Sequence, residues 1–138
     1  MTLNQIGKTA HEHCVKVGFR GEGIVGPTKL ESHALFHTEI SEATEEVRNG
    51  ELGYYFIVDG LKQGTDDLTT EGISACHNIH EKGRHQLLKP EGEASELADV
   101  IIRILETAHS NGWDMEHIIA RKMRYNATRG HRHGGKIL

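Results

Sequence analysis

Apolar residues recur at three- and four-residue intervals in four stretches of the chain, the spacing of one helix face. Leu3, Ile6, Ala10, Cys14 and Val17 predict a first helix over about residues 2–17. Gly18 to Gly26 holds four glycines and reads as a loop. A second helix is predicted from about Pro27 to Asn49, with proline suited to its start and Asn49-Gly50 to its end. Phe36, Ile40, Ala43 and Val47 form its apolar stripe, and Glu39, Glu42 and Glu46 run along the edge of that stripe. A third helix is predicted from about Pro90 to Asn111. Leu97, Ala98, Val100, Ile101, Ile102, Ile104, Leu105 and Ala108 cover more than half its circumference, which predicts burial on several sides. Glu93, Glu96 and Asp99 interrupt one face of it. A fourth helix is predicted from Met115 to Thr128, with Asp114 as N-cap, a Trp113–Ile118 staple, and Ile118, Ile119 and Met123 toward the core. Gly130 is expected to end it.

Residues 50–89 are weakly patterned. Tyr54–Val58 reads as a short strand before the Asp59-Gly60 turn, with no clear partner strand after it. Thr69 or Thr70 is placed to cap a short helix through Ile73, Cys76 and Ile79. The predicted fold is all-α: a four-helix-type bundle with an irregular insert at about 50–89.

The chain has 138 residues, the length of one domain at ~150 residues each. Aromatics are scarce (three Phe, three Tyr, one Trp), so the expected core is aliphatic. Cys14 and Cys76 are too few for a disulfide framework or a zinc pattern and predict reduced thiols. The N-terminus lacks an apolar signal-peptide run, and the longest apolar run, Tyr54 to Val58, is too short for a bilayer. A cytoplasmic protein without a membrane partner is expected.

Charge is uneven. Residues 1–116 hold all 20 acids and 10 Lys/Arg, a balance of −10. Residues 117–138 hold six Lys/Arg and no acid, a balance of +6. An acidic body repels a long polyanion, so no nucleic-acid polymer is expected. A small anion, held between a metal and the basic tail, fits better.

Two carboxylate pairs at i, i+3 spacing carry the strongest chemical signal: Glu39-Ile40-Ser41-Glu42 and Glu96-Leu97-Ala98-Asp99. Each pair shares a helix face. If helices two and three pack antiparallel, the four carboxylates converge, and without a counter-ion most would stay protonated. A divalent cation resolves this. Oxygen-only ligands favour Mg²⁺, with Mn²⁺ as the alternative, and Mg²⁺ commonly shares its shell with substrate phosphates.

These pairs stand within longer blocks: His37-Thr38-Glu39-Ile40-Ser41-Glu42-Ala43, then Glu96 to Arg103, then Lys122 to Arg129, then His133-Gly134-Gly135-Lys136. Together they resemble the MazG-like nucleotide pyrophosphohydrolases of the all-α NTP pyrophosphatase superfamily, over about residues 1–49 and 89–137. The resemblance implies a four-helix-type unit that forms a homodimer or a dimer of dimers. It implies Mg²⁺-dependent hydrolysis of (d)NTPs to the monophosphate and pyrophosphate. It further implies Glu39, Glu42, Glu96 and Asp99 as metal ligands and catalytic residues. Lys122 and Asn126 would contact the triphosphate or sugar, and Arg129 would offset phosphate charge. Lys136 belongs to the same basic block; His37, two residues before Glu39, either approaches the nucleotide or packs in the core or an interface. Many members carry a further Glu directly before the first pair, where this chain has Thr38. Glu45, Glu46 and Glu93 are the candidates to replace it. The longer segment 50–89 would shape base specificity or oligomerisation, or mark a changed substrate.

Other motifs carry less. His11-Glu12-His13-Cys14 and His77-x-x-His80-Glu81 lack the order of a zinc protease and read as surface histidines; His131-x-His133 reads either as surface histidines or as a weak transition-metal site. Gly21-x-Gly23-x-x-Gly26 follows a helix rather than a strand, so it reads as a loop able to close over substrate. The expected function is nucleoside triphosphate pyrophosphohydrolysis in nucleotide-pool housekeeping. The alternatives are phosphoribosyl-ATP pyrophosphohydrolysis and a non-catalytic module that binds a nucleotide or a protein partner.

Overall fold

The computed structural model describes residues 1–58, 60–64, 79–81, 84–86 and 89–130. These residues are mostly helical, with helices α1 (Leu3–Lys16), α2 (Lys29–Arg48), α3 (Glu93–Ser110) and α4 (Met115–Ala127). Strands β1 (Tyr55–Val58), β2 (Leu61–Gly64), β3 (Ile79–Glu81) and β4 (Arg84–Gln86) lie between α2 and α3.

The caps set where the helices begin. Thr2 and Gln5 form a reciprocal capping box ahead of α1. Thr28 and Glu31 do the same for α2: the Glu31 amide donates to Thr28 Oγ1 at 3.2 Å and the Thr28 amide donates to Glu31 at 2.7 Å. Thr28 thereby takes the N-cap role, and Pro27 stands before the helix rather than opening it. Asp114 caps α4 through the His117 amide at 3.0 Å. Helix α4 stops at Ala127, before Gly130, because Thr128 already closes its last turn through Tyr125 and Asn126.

The segment expected to be irregular contains two antiparallel hairpins. β1 does have a partner: Tyr55 faces Gly64 and Val58 faces Leu61. The two-residue connection includes Gly60 at φ +77, a conformation tight hairpin turns require. β3 pairs with β4, so Ile79 stands in a strand, not in the expected helix. The remainder of that expected helix, with Ile73 and Cys76, lies outside the described residues.

The chain divides into two compact units, residues 1–32 with 101 onward, and residues 33–100. In the first, α1 and the second half of α3 approach at Gly7, where a Cβ would sit 2.5 Å from the Leu105 carbonyl oxygen. Leu105 and Ala108 are buried there. Asn4 ties α1 to α4: its Nδ2 donates to Asp114 at 2.8 Å, and its Oδ1 accepts from the Met115 amide at 3.1 Å. This anchor places Met115, Ile119 and Asn126 in the half-buried stripe of α4. The expected core positions Ile118 and Met123 are exposed in consequence.

In the second unit, the hairpin β1–β2 is strapped to the start of α3. Tyr55 and Glu91 exchange backbone hydrogen bonds of 3.2 and 2.9 Å, and the Glu93 and Ala94 amides donate to the Glu51 and Gly53 carbonyls. Gly92, at φ +95, lies so close that a Cβ would be 2.7 Å from the Gly53 oxygen. The strap explains why α3 begins at Glu93 rather than near Pro90.

Two expected faces are corrected. On α2 the inward stripe is Ser32, Phe36, Glu39, Ala43 and Glu46, while Ile40 and Val47 are exposed. On α3, Val100, Leu105 and Ala108 are buried, but Leu97, Ala98, Ile101 and Ile102 are exposed. No helix among the described residues is long and apolar enough to cross a membrane.

Candidate metal centre

Glu39 occupies the inward stripe of α2, three residues after Phe36 and four before Ala43. Glu96 and Asp99 share a face of α3 one turn apart. The fold brings these three together: one carboxylate oxygen from each lies within 4.8 Å of the others. Opposite ligands of one Mg²⁺ ion stand about 4.2 Å apart at bonds of ~2.1 Å, so the cluster is close to the span one ion needs. The three grade from buried Glu39 through half-buried Glu96 to exposed Asp99, so the cluster opens to solvent at Asp99.

The electrostatics favour a cation. Burial pushes the Glu96 carboxyl above its ordinary value; Lys89 opposes this, but Asp99, Glu42 and Glu46 add to it. Protein groups therefore leave Glu96 short of positive charge, and a divalent ion would supply it. The donor set, all hard oxygen, fits Mg²⁺ or Mn²⁺.

Glu42, the fourth expected ligand, lies outside the group of three. It is exposed on α2, and it acts on Glu96 through space only. The position follows from helix phase: with Glu39 turned inward, Glu42 falls beyond the edge of the stripe. Thr38 is exposed and its hydroxyl donates to the Ala34 carbonyl at 3.3 Å. Of the candidate replacements, Glu45 pairs with Arg48 at 3.2 Å, whereas Glu46 is half-buried and acts on Glu96. Glu93 is half-buried in the first turn of α3. His37 is exposed, and its carbonyl accepts from Ser41 at 2.8 Å.

Lys122, Asn126 and Arg129 belong to the other compact unit. The Lys122 ammonium stands 5.8 Å from the centre of the Tyr125 ring. Asn126 and Arg129 are half-buried. Lys136, His131 and His133 lie outside the described residues.

Sequence reasoning missed one charged network. Glu106 is buried on α3, and Arg20 grips it with two bonds, Nε–H to Oε1 at 3.0 Å and Nη2–H to Oε2 at 2.9 Å. His11 Nδ1 meets Oε1 at 2.9 Å. Burial raises the Glu106 carboxyl, but the Arg20 and His11 bonds outweigh it, and the group lies below its ordinary value. The Cys14 thiol is pushed up by its burial and then by Glu106. Arg20 lies in the glycine-rich segment after α1, so this network ties that segment down. The available signal was an acid directly after the apolar pair Ile104-Leu105, in a helix whose circumference is mostly apolar.

Comparison of the chain with protein-family models, with curated proteins and with solved structures gives no match.

Proposed function

We propose that the chain is a Mg²⁺-dependent nucleotide pyrophosphohydrolase, built on the MazG-like helical plan, that cleaves nucleoside triphosphates to monophosphate and pyrophosphate. One observation carries the reading. Three of the four carboxylates singled out from two motifs 57 positions apart in sequence meet in one cluster, Glu39 with Glu96 and Asp99.

Glu39, Glu96 and Asp99 would hold the ion. A bound divalent cation supplies Lewis acidity toward phosphate oxygens and water. Buried Glu39 fixes the inner side of the cluster, and exposed Asp99 leaves its outer side open to a ligand. Glu46, half-buried and electrostatically linked to Glu96, is the residue we assign to orienting or deprotonating the attacking water in place of the glutamate absent at Thr38. The family resemblance assigns Lys122 and Arg129 to phosphate charge and Asn126 to the sugar or base edge. We also assign the exposed α3 face of Leu97, Ile101 and Ile102 to a homo-oligomer contact. Gel filtration with light scattering checks it; a stable monomer at micromolar concentration refutes it.

The deciding experiment is pyrophosphate release from a panel of NTPs and dNTPs with Mg²⁺, Mn²⁺ or EDTA, with phosphoribosyl-ATP included. Metal-dependent release that Asp99→Ala abolishes is the expected outcome. Turnover of phosphoribosyl-ATP alone would move the assignment to that hydrolase. No release from any of them by folded protein would leave a binding module.

A further inference from the structure

The two compact units carry opposite charge. Residues 33–100 hold fourteen acids and five Lys/Arg, whereas residues 1–32 with 101–138 hold six acids and eleven Lys/Arg. The balance is −9 in the one and +5 in the other, so the overall −4 describes neither. The acidic body that repels a polyanion is residues 33–100 alone.

Much of the positive charge lies on α4. Five cations elsewhere are matched: Lys8 by Glu12, Arg20 by Glu106, Arg48 by Glu45, Lys62 by Glu51 and Lys89 by Glu91. Arg121, Lys122 and Arg124 meet no carboxylate among the described residues. Their own helix cannot supply one further along, because residues 117–138 contain no acid. Arg121 and Arg124 stand three apart, a spacing at which like charges on a helix repel. The helix dipole favours Arg124, in the last turn, but not Arg121 before it. All three side chains are exposed, since α4 is half-buried only at Met115, Ile119 and Asn126.

What accompanies these cations narrows the partner. Ile118, Arg121 and Tyr125 fall within about 60° of one another around the helix, with Lys122 on one side and Arg124 on the other. The Tyr125 residue is 60% exposed, and the Lys122 ammonium stands 5.8 Å from its ring centre. An open aromatic ring among unmatched cations suits a strand that offers both phosphates and unpaired base faces. An anionic bilayer would need a continuous apolar stripe to sink into it. Here the exposed apolar side chains are split: Met123 lies about 140° round from Ile118, with the half-buried stripe between them.

We propose that the open face of α4 binds single-stranded nucleic acid, with Arg121, Lys122 and Arg124 on phosphates and a base stacked on Tyr125. Charge and stacking carry the contact, so sequence preference is weak and affinity falls steeply with salt. This binding needs no metal and no nucleotide hydrolysis.

The test uses the full chain in EDTA, so that no divalent ion at the carboxylate cluster can hold the strand. Fluorescence anisotropy follows a labelled oligo(U) of about twelve nucleotides, within the usual span of such sites. Log affinity against log salt should slope at about −2, three phosphates at ~0.7 each. Arg121→Gln with Arg124→Gln should weaken binding by about tenfold or more and reduce the slope to about −0.7. Tyr125→Leu should weaken oligo(U) about tenfold and leave the slope unchanged. On an abasic strand of equal length, Tyr125→Leu and wild type should bind alike. Met123→Ala, on the other edge of α4, should stay within about twofold on oligo(U). Circular dichroism checks that each variant keeps its helices.

A wild-type chain without salt-dependent oligo(U) binding overturns the proposal, and so does equal binding by the double arginine variant. An abasic strand, a glutamate-rich peptide or a phosphatidylserine vesicle bound as tightly as oligo(U) would make α4 a general anion surface, and the nucleic-acid assignment would fall.

Discussion

Helix α3 carries two carboxylates that burial pushes toward the neutral form, Glu96 in one compact unit and Glu106 in the other. Around Glu106 the chain supplies an arginine fork and a histidine, and the carboxyl ends below its ordinary value. Around Glu96 it supplies one exposed lysine and three further acids, and the carboxyl ends above its ordinary value. Burial alone therefore does not mark a functional acid. What distinguishes the two is whether the protein completes the charge itself. Glu106 is completed and pins the segment containing Arg20; Glu96 is left with one exposed lysine among acids.

The largest expected effect breaks the completed side. Arg20→Ala leaves Glu106 buried with His11 as its remaining ionic partner. Removing one member of such a pair should cost about 3 kcal/mol. Chemical denaturation should show this as a lower midpoint with the slope unchanged. Replacing both Arg20 and Glu106 with leucine should recover much of the loss, because no charge is then left buried. Lys89→Ala, the matching change beside Glu96, should cost no more than about 0.5 kcal/mol, as expected of an exposed pair. Equal losses for Arg20→Ala and Lys89→Ala would erase the distinction.

Adding the missing charge is the next largest effect. Mg²⁺ at about one hundred times its dissociation constant should stabilise the fold by ~2.7 kcal/mol, read as a rise in Tm. Asp99→Ala should abolish the rise. Arg20→Ala should keep it on a lowered baseline, because its damage lies elsewhere. Wild type without a Mg²⁺ or Mn²⁺ response would sink the metal reading.

Two glycines allow a finer separation. A Cβ at Gly7 would collide with the Leu105 carbonyl, and one at Gly92 with the Gly53 carbonyl and the Tyr55 ring. Each Gly→Ala change should cost about 2 kcal/mol by overpacking, with added backbone strain at Gly92. Gly92→Ala displaces the strap that starts α3 and should also shrink the Mg²⁺-induced rise in Tm. Gly7→Ala should leave that rise intact.

The helices were legible because apolar residues recur at helical spacing and some ends carry local signals, Asp114 before α4 and glycines after α2 and α3; the Thr2–Gln5 and Thr28–Glu31 boxes were equally local but went unread. The carboxylate cluster was legible for three of its four expected members because i, i+3 spacing is also local. Helix phase was not. Reading Ile40 and Val47 as the inner stripe assumed that hydrophobicity sets the face, whereas the inner stripe includes Glu39 and Glu46. A helix can turn acids inward and leave aliphatic residues outward, as α2 does. β2 was missed because Leu61-Lys62-Gln63-Gly64 has no β-branched residue; its pairing comes from the turn and from β1. The Arg20–Glu106–His11 network was invisible for a different reason. Its members are 86 and 95 positions apart, and only the fold defines their contact.

The smallest predicted effect separates the two carboxylates by the sign of their pH dependence. Glu106 has a folded pKa below its ordinary value of 4.5, so its stabilisation is present above that value and is lost as pH falls through the lower folded pKa. Glu96 has a folded pKa above 4.5, so folding favours its protonated form. Its contribution is fully present below 4.5 and is lost as pH rises through the higher folded pKa. Glu96→Gln, without metal, should therefore be more stable than wild type at pH 7, by about 0.5 kcal/mol for a partly solvated acid among like charges. That advantage should fade as the pH is lowered toward 4. Glu106→Gln should behave in the opposite sense: less stable than wild type at pH 7, with the deficit shrinking on acidification. Denaturant titrations of the three proteins at pH 7, 5.5 and 4 read both trends. If Glu96→Gln is destabilised at pH 7, then Glu96 is an acid the fold has already satisfied, and the two halves of α3 do not differ in kind.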